Sequence, residues 1–202
     1  MRKYISIIMA AVMMVVVLAA CSGESAGGES NAGSTKPDIS KPSEDGGLQE
    51  TDGSNSLFSK INTVTLDDEE ISGADFAGER MTVLNIWASW CPPCITELPH
   101  LQEISENYAD KGVKVVGVMH DGLFTTFEKD ENAIKAGKAL LADAGAEYTV
   151  ILPDQTITSE FVSQMRFFPT TFFLDADGNI IKTIIGAKDS DGWRKEIDGV
   201  LS

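Results

Sequence analysis

Apolar positions follow three different patterns along the chain. Residues 5–20 are apolar or small throughout, except for Ser6. Residues 22–56 hold only Ile39 and Leu48 as large apolar side chains. From Leu57 onward, apolar residues recur in blocks of regular period. The first pattern predicts an inserted or exported leader. The second predicts a segment with nothing to bury. The third predicts a folded domain over 57–202.

Within that domain the periods alternate. Residues 63–66 predict a short strand, and 67–78 predict turns with at most a short helical turn. Residues 82–87 and 113–119 are nearly continuous apolar runs, as in strands buried on both faces. Between them, Ile95, Leu98, Leu101, Ile104 and Tyr108 step by three or four, predicting a helix over 92–111 that Gly112 stops. Pro99 should kink it, since its ring removes a backbone donor and crowds the preceding turn. A second helix over 131–144 carries Ile134, Leu140 and Leu141 and ends at Gly145, followed by a strand over 148–152. A short helix is expected over 158–165, capped by Thr158 or Ser159. Strands over 170–174 and 180–185 flank an Asp-Gly turn at 177–178. A last helix over 190–201 carries Trp193, Ile197, Val200 and Leu201. This order implies an α/β sandwich around a mixed sheet.

Charge narrows the function. The 202 residues carry 16 Lys+Arg against 31 Asp+Glu, a net charge of -15. Such a balance excludes phosphate-driven nucleic-acid binding and docking on anionic lipid through a basic face. Three cysteines cannot make a disulfide framework, so stability must come from a hydrophobic core.

The leader reads as an address. Met1-Arg2-Lys3 precedes a 16-residue apolar run, short of the about 20 residues that span a bilayer. Residues 1–20 therefore predict a signal peptide. The run ends in Leu18-Ala19-Ala20-Cys21, which resembles the lipobox of bacterial lipoproteins. That resemblance implies cleavage before Cys21, lipidation of its thiol, and a protein held outside the cytoplasm on the cell membrane. Residues 21–56 are then the lipidated cysteine and a tether. A Gly/Ser-rich coil of this length spans roughly 30–35 Å.

The chemistry concentrates at Trp90-Cys91-Pro92-Pro93-Cys94, where a buried strand meets a helix start. A cysteine at a helix N-terminus has its thiolate favoured by the dipole and by unpaired N–H groups. Cys91 can attack a disulfide, and Cys94 can resolve the mixed disulfide. A zinc half-site and a structural disulfide are the competing readings. Zinc needs about four ligands, and His100 and His120 do not fall at ligand spacing. A bridge closing so small a loop constrains little of the unfolded chain. Dithiol chemistry needs neither metal nor organic cofactor. Pro92 and Pro93 remove two backbone donors beside the Cys91 sulfur, which favours a reducing or intermediate potential over a strongly oxidising one.

These residues resemble the thioredoxin superfamily, and more closely the TlpA/ResA-type membrane-anchored thiol–disulfide oxidoreductases. The matching stretches run from Asn85 through Cys94, then Glu97 and Pro99, then Phe168-Pro169-Thr170-Thr171-Phe172. The resemblance implies a thioredoxin-like three-layer sandwich with a helix-plus-strand insertion over 131–152. It implies that Pro169 is cis and faces the dithiol, with Trp90, Pro92, Pro93, Phe168, Pro169 and Thr170 contacting substrate. It implies that Glu97 lies by the active site and exchanges protons with Cys91 and Cys94. From the residues alone, Glu97 would be a solvated glutamate in a helix first turn. Asn85 stands where thioredoxin has a buried aspartate, which shifts acid–base work towards Glu97 or water.

The expected activity is reduction of disulfides in exported proteins, resupplied by a CcdA-type membrane electron donor. Cytochrome c maturation is one process the resemblance offers. A disulfide-forming oxidase is the main alternative. A thiol peroxidase is less favoured, because Ala88 occupies the position three before Cys91. A non-catalytic lipoprotein is disfavoured by the intact Cys91, Cys94 and Pro169.

Overall fold

The computed structural model describes residues 56–76, 78–123 and 125–202. The leader, Cys21 and the tether up to residue 55 lie outside the described residues.

The chain enters with a small antiparallel pair, β1 (Asn62–Val64) and β2 (Glu70–Ser72). The sequence predicts turns with at most a short helical turn over 67–78, and a 3-10 turn does form at Gly73–Phe76. The structure forms β2 there, because Thr65 N–H donates to the Glu69 carbonyl (2.8 Å) and Asp68 takes a left-handed turn conformation (φ 67°). A three-residue strand with one apolar side chain has no period to detect.

Seven-residue β3 (Met81–Trp87) is buried at every position and forms the centre of the main sheet. It leads into α1 (Pro92–Tyr108), continued by a 3-10 turn to Lys111 and closed by Gly112 at φ 74°. Then come β4 (Val113–Met119), α2 (Glu131–Ala144), β5 (Val150–Ile151) and α3 (Gln155–Glu160). The hairpin of β6 (Thr170–Asp175) and β7 (Ile180–Ile185) precedes α4 (Ser190–Leu201).

The five-stranded order is β5-β4-β3-β6-β7. β3, β4 and β5 run parallel, while β6 and β7 are antiparallel additions. The sheet is mixed, as the alternation of periods implies, and α2 with β5 extends its parallel edge. Two expectations are corrected in detail. The predicted strand over 148–152 contracts to two residues. The short helix starts at Gln155 instead of 158, because the Asp154 carboxylate accepts the Ile157 N–H (2.7 Å) and caps it there.

Alternation along the strands builds two apolar layers. Val83, Trp87 and Phe173 face α1, α2 and α4, packing on Leu98, Leu101, Ile104 and Trp193. Leu84, Ile86 and Phe172 face the other side, against Phe58, Phe76 and Phe161. Each fully buried Leu or Phe of this kind contributes about 1.5–3 kcal/mol. Gly137 lets α2 close on this core: an added Cβ would sit 2.5 Å from the Met119 sulfur.

Candidate active site

The site lies where β3 ends and α1 begins. Cys91 is the N-cap of α1, and Pro92 and Pro93 fill its first turn, where missing N–H groups break no helical bond. Cys91 and Cys94 are joined by a disulfide. Both are nearly covered, at 3% and 1% exposure. Pro92 and Pro93 between them are exposed. The Cys94 N–H donates to the Cys91 sulfur at 3.4 Å, the single donor to that atom among the described residues.

Phe168–Pro169 is cis. The loop is pinned on both sides: the Gly186 N–H donates to the Pro169 carbonyl (2.9 Å), and the Thr170 hydroxyl donates to the Phe167 carbonyl (2.7 Å). Thr170 is buried, so its side chain shapes this turn from within. The Phe168 ring meets Trp90 edge-on with centroids 5.4 Å apart. The His120 ring also lies against Phe168, with centroids 5.2 Å apart. Trp90 stays 62% exposed.

Glu97 is not a surface residue of the first turn. It is 1% exposed. One carboxylate oxygen accepts the Lys188 N–H (2.9 Å), and the other accepts an Asn85 amide hydrogen (3.1 Å). Asn85 also donates to the Thr171 hydroxyl at 2.9 Å. Burial pushes the Glu97 carboxyl from 4.5 up to about 7, opposed by the donors from Lys188 and Asn85. The Trp193 indole N–H lies near enough to oppose the shift too, but makes no hydrogen bond of proper geometry. The Tyr148 phenol is pushed well up, first by its own burial and then by the Glu97 charge. The loop that supplies the Lys188 N–H is anchored by the Lys188 ammonium on Glu196 (3.0 Å).

Two further residues escape sequence reasoning. Asp121 accepts from both the N–H and the hydroxyl of Ser89, at 2.5–3.1 Å, and so holds the segment that leads into Trp90 and Cys91. His120, next to it, joins the aromatic rim through Phe168. Neither has a local pattern that reveals it, since each acts through a partner far away in sequence.

A family model described as Redoxin matches residues 31–201. The chain belongs to the Redoxin family. Within it, the chain is 30% identical over 135 residues to the thioredoxin-like protein YneN of Bacillus subtilis (strain 168), covering 66% of this chain and 72% of that one. It is 28% identical over 137 residues to the thiol-disulfide oxidoreductase ResA of Bacillus anthracis, covering 67% and 69% of the two chains. Among solved structures, a DsbF homologue from Corynebacterium diphtheriae superposes with a TM-score of 0.57 at 25% identity, over 70% of this chain and 85% of that chain. This Redoxin-family chain is therefore a TlpA/ResA-like member of the thioredoxin superfamily with its α/β fold. It is a thiol–disulfide oxidoreductase whose redox pair is Cys91 and Cys94.

Proposed function

We propose that the protein is a lipid-anchored, extracytoplasmic reductase of disulfides in exported proteins. Cys91 thiolate attacks a substrate sulfur. The Cys91–substrate bond forms, the substrate disulfide breaks, and the leaving thiolate takes a proton. Cys94 thiolate then attacks the Cys91 sulfur, forming the Cys91–Cys94 disulfide and releasing the second substrate thiol. Two electrons pass to the substrate. A membrane dithiol protein of the CcdA type returns them. Glu97, one helical turn after Cys94 and titrating near neutral pH, takes and returns the protons of this exchange. Trp90, Phe168 and the Phe168–Pro169 backbone seat the substrate chain.

The observation that carries the reducing direction is the poverty of donors at Cys91: one N–H at 3.4 Å, with two prolines in the positions that would supply more. Strong oxidants depend on a stabilised reduced thiolate, and this sulfur has little to stabilise one. Equilibration of the full-length chain with dithiothreitol or glutathione buffers tests it. A potential near or below about -230 mV supports a reductase, and one above about -150 mV reassigns the protein to disulfide formation.

The anchor rests on Cys21 and its lipobox-like flank. A Cys21→Ser variant should leave the membrane fraction and lack the acyl mass.

A further inference from the structure

Phe127 occupies a conformation that a bulky side chain rarely adopts. Its φ is 61°, in the left-handed region. It sits in the loop between β4 and α2, and that loop is closed at its base by a bridge between Leu123 and Lys129 and by the Asp130 N–H donating to the Gly122 carbonyl (2.9 Å). The residue is not sunk into the core, being 50% exposed. A strained aromatic residue turned towards solvent on a closed loop is a feature of binding sites.

What the ring lines gives the reason. A cavity of about 560 Å³ lies between this loop and the dithiol rim. Phe127 and Trp90 both border it, with Leu123, Pro153 and Val162 supplying further apolar surface. Trp90 is the residue before Cys91 and touches Phe168, so one wall of the cavity is also part of the aromatic rim beside the disulfide. The ionisable side chains on its lining are the carboxylates of Asp121 and Asp130 and the His120 imidazole, so the two aspartates give the cavity its negative charge. Both are held in place, Asp121 by Ser89 and Asp130 by the first N–H groups of α2.

We infer that this cavity is a specificity subsite, in which Phe127 and Trp90 grip a bulky apolar side chain of the disulfide-bearing polypeptide, with a basic residue beside it. The inference rests on the proposed reduction of polypeptide disulfides and names what such a substrate carries next to its cysteine. Apolar walls select the side chain by desolvation. The two carboxylates, in a protein of net charge -15, favour a cationic neighbour and disfavour an acidic one.

The test uses the reduced full-length chain in detergent. Its probes are peptides with one cysteine carried as a glutathione mixed disulfide, and a single Phe or Ala at each of three positions on either side. The release of glutathione is followed in a single turnover. The expected result is one position at which Phe is reduced about tenfold faster than Ala. Lys beside that Phe should be faster than Glu, and the gap should shrink as salt rises. The Phe-over-Ala ratio should fall to near one in Phe127→Gly, which suits the left-handed backbone and so keeps the loop. It should survive in Phe127→Leu. Because each ratio is internal to one variant, a general loss of activity cancels. Equal rates for Phe and Ala at every position, or a preference that persists in Phe127→Gly, overturns the subsite while leaving the reductase reading intact. A ratio that falls as the protein's own concentration rises assigns the cavity to a second copy of the chain and overturns it too. Failure to reduce any of the peptides overturns the reductase reading and this inference with it.

Discussion

The side-chain amide of Asn85 on β3 donates to the Glu97 carboxylate on α1 across 3.1 Å, and its second hydrogen reaches the Thr171 hydroxyl on β6. One neutral residue thus ties the dithiol helix to the strand that follows the cis-proline turn. It also leaves Glu97 as the one ionisable member of that link. The Asn85 carbonyl oxygen has no partner among the described residues, so the amide is committed through its hydrogens alone.

Replacing that amide by a carboxyl should reverse its effect. In Asn85→Asp, two carboxyl groups would face each other in a buried site. They cannot both ionise, so they share a proton at low pH and repel at high pH. The variant should unfold at nearly the parent's urea concentration at pH 5. It should lose at least about 3 kcal/mol more than the parent between pH 5 and pH 9. Urea titrations at the two pH values measure this, and a pH-independent difference would remove Glu97 from the explanation.

Glu97 itself makes stability depend on pH, and the sign follows from its raised value. The folded carboxyl holds its proton up to about 7, whereas in the unfolded chain it ionises near 4.3. Between these values the folded state binds more protons, so stability falls as pH rises through the window and levels off above it. The size is roughly 3–4 kcal/mol, at about 1.4 kcal/mol per unit. Glu97→Gln should lack this slope, so the variant gains on the parent from pH 4.5 to 7.5. Thermal or urea unfolding across that range reads the slope directly. Parallel curves would mean that Glu97 is ionised throughout.

Much of this was legible because the signals were long or chemical. The nearly continuous apolar run over 82–87 reads as a strand buried on both faces, as β3 is, and two prolines directly after Cys91 suit a helix start. What escaped was short or non-local. β2 has one half-buried side chain, Ile71, and no period. The α3 start was set by Asp154, an N-cap outside the apolar pattern. The depth of Glu97 could not be read from spacing, since a glutamate in a first turn is ordinarily solvated. It is buried because the Lys188 loop closes over it. Asp121 and His120 take their places only through partners that the fold brings together, and the cis state of Pro169 is expected from resemblance alone.

Asp121 is the support of the segment before the dithiol. It accepts three hydrogen bonds from Ser89. Asp121→Ala leaves the Ser89 N–H and hydroxyl without a charged acceptor in a half-buried place. The cost should be about 1.5–3 kcal/mol, as for hydrogen bonds to a charged group. Asp121→Asn keeps one acceptor and should recover part of it. Denaturant midpoints for the three proteins decide this. If Asp121→Ala and the parent share a midpoint, the carboxylate is not what holds Ser89.

The two cysteines should separate cleanly by role. Cys91 caps the helix and stands next to the exposed Trp90, while Cys94 lies one turn inside and is the more covered. Cys91 should therefore make the bond to substrate, and Cys94 should break it. Cys91→Ser leaves the serine hydroxyl, a far weaker nucleophile than a thiolate at neutral pH, and should abolish reduction of a glutathionylated peptide. Cys94→Ser keeps the attacking thiol but removes the one that resolves, so a mixed disulfide should accumulate on Cys91 at one equivalent per chain. Intact mass spectrometry followed by peptide mapping shows which residue carries the adduct. An adduct on Cys94 in the Cys91→Ser protein, with none on Cys91 in the Cys94→Ser protein, would exchange the two roles. It would also move the substrate-facing sulfur one turn into the helix, away from the rim formed by Trp90 and Phe168.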